Sequence, residues 1–288
     1  PYMIITESSS GYRFITQHEH SKIAGRCAMR WGNDDFESLD PKGSLVTAAF
    51  LHDIGWQEFD QQPRLKSDEK TENPTPVNFH ELSPQTWIDM YEQGIDATAA
   101  IDPYAGLVVS LHGVGLQNRR YGLTPEWSNP RSEFDGFIQT EQKRQRQLME
   151  QISEQDGFSM SSKDRTTLKQ LQEDAHNPEQ YEGQLWCNYK LLQIWDTLSH
   201  ILCATTNPTG ETSIENVPVS TSTDITISIH SETANTYRIV PYPFQTDPLV
   251  VSVTGRTVSE QTVKSGETSA VAREYFLNTD EVEFRIHS

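Results

Sequence analysis

A His-Asp doublet at the end of an apolar segment is the feature of this sequence best suited to chemistry. Residues 45–51 are apolar on nearly every side of a predicted helix, and they lead directly into His52 and Asp53. Burying an imidazole beside a carboxylate costs free energy unless the two groups are paired or bind a metal ion. By itself, the doublet is also compatible with a capped helix end or a hydrogen-bonded pair.

Other residues of the same chemical types accompany the doublet along the chain. His20 lies on the first predicted helix, His80 and His112 lie at the edges of later helical segments, and Asp196 lies within the last apolar helix. A carboxylate in an apolar stripe needs a partner, and imidazole together with carboxylate suits zinc, iron, manganese or nickel. We therefore expect one or two divalent metal ions as cofactors, with six candidate ligands: His20, His52, Asp53, His80, His112 and Asp196.

The elements that must position these residues are mostly helices in the first two thirds of the chain. Apolar residues recur there at spacings of three and four, and N-cap residues such as Ser44 and Ser83 precede the apolar runs. The pattern predicts helices that begin near residues 17, 44, 83, 103, 137 and 184. A β-hairpin is predicted over residues 2–16, and the polar, proline-containing residues 60–79 are interpreted as a long loop.

The pattern changes after residue 204. Residues 205–210 are typical of a linker, and beyond them apolar and polar residues alternate in short segments, which predicts strands. The prediction is a mainly α fold with two parts: a helical metal-binding domain with the hairpin over residues 1–204, and a β-rich module over residues 205–288. The module either stands apart or packs on the helices and takes the hairpin into its sheet.

The composition argues against several classes of partner. The formal net charge of −18 repels nucleic acid and anionic lipid surfaces, and no run of about 18 apolar residues predicts a membrane span. The three cysteines form no CxxC pair, which disfavours a thiolate zinc site and indicates a reducing cytoplasm. The acidic, lysine-poor composition is typical of a protein kept soluble in concentrated salt. We expect a small-molecule substrate, and a homo-oligomer is compatible with the sequence.

The order His, His-Asp, His, His, Asp resembles the HD superfamily of metal-dependent hydrolases and oxygenases, which are helical bundles named for the doublet. The resemblance covers about residues 17–203 and implies an HD-like helical bundle. It implies a basic one-metal set made of His20, His52, Asp53 and Asp196. His80 and His112 match the two additional histidines of members that hold two metals, in which the doublet aspartate bridges the ions.

A closer resemblance is to an HD-like prokaryotic family that has no assigned function, and it rests on residues 15–25, 52–56 and 241–244. It spans nearly the whole chain and favours His20 over His18 as the ligand. One departure concerns residue 56, because many HD enzymes carry a substrate-handling lysine there and this chain has Trp56. The signature of cyclic-dinucleotide phosphodiesterases is also missing after His112, so we do not expect cleavage of cyclic dinucleotides.

The resemblance implies an enzyme, and a hydrolase before an oxygenase. We expect a hydrolase of a small phosphoester-type substrate that uses a water activated by two metal ions, with Asp53, His80 and His112 as catalytic residues. The alternatives are a mixed-valent di-iron oxygenase, which would use the same ligands, and a non-catalytic metal-containing binding protein. Substrate binding is expected from residues that follow the candidate ligands or could clamp an anion: Trp56, Arg119, Arg120 and His200.

Overall fold

Helices make up most of the first two thirds of the chain, and strands dominate the last third. The computed structural model describes residues 3–8, 11–67, 73–77, 81–117, 132–153, 160–173, 181–204 and 210–288. The helices are α1 (Gln17–Arg30), α2 (Lys42–Leu51), α3 (Pro84–Ile101), α4 (Pro103–Gln117), α5 (Asp135–Ser153), α6 (Ser162–Glu173), α7 (Gln184–Ala204), α8 (Glu260–Ser265) and α9 (Thr268–Leu277). The strands are β1 (Ile4–Ser8), β2 (Gly11–Ile15), β3 (Leu65–Ser67), β4 (Pro74–Pro76), β5 (Gly210–Ser220), β6 (Thr223–Thr233), β7 (Thr236–Val240), β8 (Leu249–Ser259) and β9 (Thr279–His287).

Three helices, α2, α4 and α7, form the centre of the helical region. Their sequences lack a polar face, as the low amphipathicity of α2 and α4 shows, and such helices are stable only when other elements surround them. In α4 every side chain from Tyr104 to Gln117 is buried. α1 packs against both α2 and α7. A charged side chain on these helices that points inward is therefore removed from water.

Seven of the nine strands in the described residues form one large sheet, which includes strands from both ends of the described chain. Its order is β1-β2-β8-β9-β7-β6-β5, and all neighbours are antiparallel except the parallel pair β7 and β9. β3 and β4 form a separate two-stranded sheet. The N-terminal hairpin is thus part of the same sheet as the C-terminal strands, which was one of the two arrangements considered from the sequence.

The predicted fold class is corrected by this sheet. A mainly α, HD-like helical bundle was expected, but the protein is a mixed α/β fold with a seven-stranded curled sheet beside its helices. The prediction was wrong because it gave most weight to the local helical pattern, whereas long-range pairings such as Gly11 with Ser259 unite seven strands in one sheet. Within β5, Asn216 with its positive φ and Pro218 coincide with the two irregularities in its pairing with β6.

Helices and sheet share one hydrophobic core. Trp195 of α7 and Ile239 of β7 belong to the same cluster of buried residues. Polar contacts fasten the layers together: Arg26 of α1 donates to the carbonyl oxygen of Ser252 on β8 at 2.8 Å, and the Lys190 ammonium of α7 lies 2.6 Å from an oxygen of Asp224 on β6. The helices α1 and α7, which carry His20 and Asp196, are therefore attached to the sheet.

A smaller core lies between the hairpin and the helices α8 and α9. It contains six buried residues: Met3, Phe14, Val258, Val263, Val271 and Tyr275. The Tyr275 hydroxyl donates to the carbonyl oxygen of Asp60 at 2.9 Å, which connects this core to the segment that follows α2. Among the described residues, no helix combines the length and the apolar character needed to cross a membrane.

Candidate metal centre

His20 is positioned by the start of α1. Thr16 caps the helix by accepting the backbone N–H of Glu19 at 3.0 Å, and the Asp60 carboxylate accepts the backbone N–H of Gln17 at 2.7 Å. Both acceptors use backbone donors that have no partner within the helix. His20 lies in this capped first turn and is fully buried. Its position is therefore fixed by hydrogen bonds at the helix terminus.

His52 follows the last residue of α2, and its ring orientation is fixed by the backbone. Its Nδ1 lies 2.9 Å from the carbonyl oxygen of Ala49. A carbonyl oxygen only accepts, so Nδ1 carries a proton and Nε2 is the nitrogen available to an ion. His52 Nε2 is buried and has no hydrogen-bond partner among the described residues. A buried polar atom without a partner is costly, so this atom indicates a missing ligand.

The segment that follows the doublet lies close to α3 because Gly55 has no side chain. A Cβ atom added to Gly55 would lie 1.9 Å from the carbonyl oxygen of Met90 and 2.8 Å from the backbone nitrogen of Gly94. Only glycine permits this close approach of two backbones. Gly55 therefore allows the turn that follows Asp53 to lie directly against α3.

Trp56 supports Asp53 from the same turn. Its indole is hydrogen-bonded to the Asp53 carboxylate, and the residue is 2% exposed. The ring packs edge-on against Trp87 and Tyr91, with ring centroids 5.2 and 6.1 Å away. Where a lysine was expected, the chain thus places a neutral N–H donor that orients the carboxylate.

Two imidazole nitrogens and two carboxylate oxygens, supplied by α1, the doublet and α7, lie close together, and each nitrogen faces both oxygens. His20 Nε2 lies 3.5 Å from Asp53 Oδ2 and 3.1 Å from Asp196 Oδ1. His52 Nε2 lies 3.7 and 3.5 Å from the same two oxygens. Neighbouring ligands bonded to an ion at about 2.1 Å are about 3.0 to 3.4 Å apart in octahedral or tetrahedral sites. Each of the four nitrogen–oxygen distances is therefore within a few tenths of an ångström of the separation between two neighbouring ligands of one ion.

His112 of α4 and His200 of α7 extend the cluster on either side of Asp196. His112 Nε2 lies 3.7 Å from Asp196 Oδ2, and His200 Nε2 lies 3.5 Å from Asp196 Oδ1. The cluster contains three overlapping groups of three residues, and within each group the potential ligand atoms lie within 4.8 Å of one another. They are His20 with Asp196 and His200, His20 with His52 and Asp53, and His52 with His112 and Asp196.

Burial and neighbouring charges shift the pKa values of these groups. Burial lowers the pKa of His20 to about 3 and raises the pKa of Asp53 to about 7. Burial would also lower the pKa of His52, but the carboxylates of Asp53 and Asp196 raise it to about 9. Although burial opposes it, contacts from His20 and His52 hold the pKa of Asp196 well below its ordinary value. Without an ion, the cluster thus contains a buried His52 cation beside the Asp196 carboxylate.

The structure brings together most of the residues that the sequence singled out. His20, His52, Asp53, His112 and Asp196 meet in one cluster, and His200 and Trp56 adjoin it. His80, Arg119 and Arg120 lie outside the described residues. Sequence reasoning did not find Asp60, which is buried, caps α1 and contributes to the raised pKa of Asp53. No signal marks Asp60, because it lies in a polar segment and acts only through tertiary contacts.

Comparison with known proteins yields a family but no activity. No curated protein and no solved structure matches the chain significantly. The model of one family, described as a protein of unknown function (DUF3891), matches residues 3–260 of the 288 residues, a span that includes every member of the cluster. The chain therefore belongs to the DUF3891 family of proteins of unknown function.

Proposed function

We propose that this protein is a metal-dependent hydrolase that acts on a small phosphoester-type substrate. The observation that carries the proposal is the buried Nε2 of His52, which has no hydrogen-bond partner in the described structure and lies 3.5 and 3.7 Å from two carboxylate oxygens. An ion at this point would replace the proton that His52 otherwise holds. Zinc, manganese, nickel and iron all accept such a mixture of imidazole and carboxylate.

The proposed ligands of the first ion are His20, His52, Asp53 and Asp196. His112, whose Nε2 faces the other oxygen of Asp196 at 3.7 Å, would contribute to a second ion. The order of these residues in the chain resembles that of the HD superfamily, which supports two ions and a hydrolytic reaction. We assign catalytic roles to Asp53, His80 and His112, and substrate contacts to Arg119 and Arg120, on the sequence argument alone.

The protein's own residues would hold and shape the reaction site. The Ala49 carbonyl fixes the His52 ring, the Trp56 indole holds Asp53, and the buried surface of α4 excludes water from one side. When bound, divalent ions supply Lewis-acid stabilisation of a phosphoryl group and lower the pKa of an attacking water. The ions are essential to the proposed reaction, because the acidic protein itself would repel a phosphate group.

We also propose that the protein works in a reducing cytoplasm on a small molecule rather than on nucleic acid. All three cysteines, Cys27, Cys187 and Cys203, are free and buried. A formal net charge of −18 disfavours binding to polyanions. A phosphoester small enough to be surrounded by the ions and by one or two arginines avoids most of this repulsion.

Metal analysis of the full chain purified under air, followed by a phosphodiester assay, tests the proposal. We expect manganese, nickel or zinc bound in near-stoichiometric amount, with hydrolysis of bis(p-nitrophenyl) phosphate that is lost in Asp53→Ala. Two iron ions per chain with a mixed-valent electron paramagnetic resonance signal would instead favour the di-iron oxygenase. Tight metal binding without turnover would favour a binding protein, and protein that binds no divalent ion would refute the metal centre itself.

A further inference from the structure

His200 differs from the other members of the cluster in its contact with solvent. Its side chain is 31% exposed, whereas the side chains of His20 and His52 are fully buried and that of His112 is 1% exposed. It lies one helical turn after Asp196 on α7, so both side chains point to the same side of the helix. His200 is therefore the part of the described cluster through which the site meets the surface.

The distances place His200 beside the ion proposed for His20. An imidazole nitrogen has one lone pair and binds one ion, and His20 Nε2 faces both Asp53 Oδ2 and Asp196 Oδ1. His200 Nε2 lies 3.5 Å from that same oxygen of Asp196, and the rings of His20 and His200 are 4.4 Å apart between centroids. The donor atoms of these three residues lie within 4.8 Å of one another.

We propose that His200 Nε2 is a further ligand of the ion that His20 and Asp196 would bind. This inference rests on the proposed metal centre and adds a residue that the sequence indicated only as a substrate contact. His200 would be the solvent-facing ligand, and the remaining ligands would be buried behind it. A small molecule with an oxygen donor would reach the ion at this side of the cluster.

The alternative role for His200 is a hydrogen bond to Asp196 that only orients the carboxylate. Two substitutions separate the roles. His200→Ala removes both the ligand and the hydrogen bond, whereas His200→Gln keeps an amide N–H that can donate to Asp196 but has no imidazole nitrogen. The matched control is His287→Ala, since His287 is 27% exposed and its Nε2 lies 3.0 Å from Glu232 on the sheet surface.

The test is Co²⁺ binding to the full chain, followed by nuclear magnetic resonance of the Co²⁺-loaded protein with isotope-labelled histidine. Each histidine bound to Co²⁺ gives ring-proton signals shifted far outside the ordinary range. We expect His200→Ala and His200→Gln each to lose one histidine from the shifted set. We also expect them to weaken Co²⁺ binding by about tenfold or more, because even a residue that only hydrogen-bonds to a metal ligand contributes about 10- to 100-fold to metal affinity. His287→Ala should match the unaltered protein.

The outcomes distinguish this inference from the proposed function. A full set of shifted histidine signals in His200→Ala, or unaltered Co²⁺ affinity in His200→Gln, would overturn the role of His200 while leaving the metal centre intact. Failure of the unaltered protein to bind Co²⁺ would overturn both. Thermal unfolding of the metal-free variants checks that the partly exposed position tolerates each change.

Discussion

Histidines and carboxylates meet in two regions of this protein, in opposite surroundings. In the helical region, His20 and His52 are fully buried beside two aspartates. On the sheet, the half-buried side chains of His230 and His287 lie 3.8 and 3.0 Å from Glu211 and Glu232. Surface pairs of this kind are solvated and contribute about 0 to 1 kcal/mol. Buried pairs of the same kind are costly unless an ion compensates them, so burial, rather than residue type, distinguishes the candidate metal cluster.

The largest expected contrast between the regions is in metal binding. We predict that His52→Ala and Asp53→Ala each lower the affinity for Mn²⁺ or Zn²⁺ by at least about 100-fold, because each would remove a proposed ligand and not only a residue that orients a ligand. His230→Ala and His287→Ala should leave the affinity unchanged. Metal content after dialysis, with calorimetric titration, measures both. Full metal retention in the two cluster variants would remove the distinction between the regions.

Gly55 tests how tightly the helical region is built around the doublet. We predict that Gly55→Ala lowers the free energy of unfolding by about 3 kcal/mol, since its Cβ would meet the Met90 carbonyl oxygen at 1.9 Å. Gly43→Ala on α2 is the matched control, because nothing lies within 4 Å of its added Cβ. It should raise the free energy of unfolding by about 0.5–1 kcal/mol. Urea unfolding gives both signs, and equal effects would show that the contact with α3 is loose.

Trp56 tests whether the hydrogen bond to Asp53 matters to the site. Trp56→Phe keeps an aromatic ring in the packing with Trp87 but removes the indole N–H. We predict a loss of about 10- to 100-fold in metal affinity with a smaller change in stability. Trp87→Phe, which alters the same aromatic contact, should have less effect on metal affinity. Similar metal affinities in the two variants would mean that Trp56 serves only packing.

The stability of the metal-free protein should fall as the pH rises from about 6.5 to 9. The folded pKa of His52 is raised to about 9 from its ordinary 6.5, so in this window the folded state holds a proton that the unfolded chain has lost. The contribution is fully present below pH 6.5 and is lost through pH 9, by at most about 1.4 kcal/mol per pH unit. Urea unfolding at pH 7 and 8.5 measures the slope. His52→Gln should remove most of the slope and leave the part due to Asp53, whose pKa of about 7 reaches into this window. Saturating Zn²⁺ should remove the slope, because the ion replaces the proton.

The candidate site was more predictable from the sequence than the fold. His52, Asp53 and Asp196 stand out because each interrupts an apolar helical pattern, and that signal is local. The sheet was underestimated because its assembly depends on contacts between distant strands, such as Gly11 with Ser259. The hydrogen bond from Trp56 and the capping by Asp60 also depend on tertiary packing. A linear pattern of residues contains neither.

The order of strands in the sheet has a consequence for the biosynthesis of the protein. The ribosome makes β1, β2 and α1 early, but β8, which pairs with β2 and binds Arg26 of α1, comes about 240 residues later. Until then Met3 and Phe14 of the hairpin lack their partners on β8, α8 and α9, and an isolated hairpin is marginal at best in water. We therefore expect His20 to gain its final position only after synthesis of β8, so that the proposed metal site would form late and the nascent chain would depend on protection from aggregation.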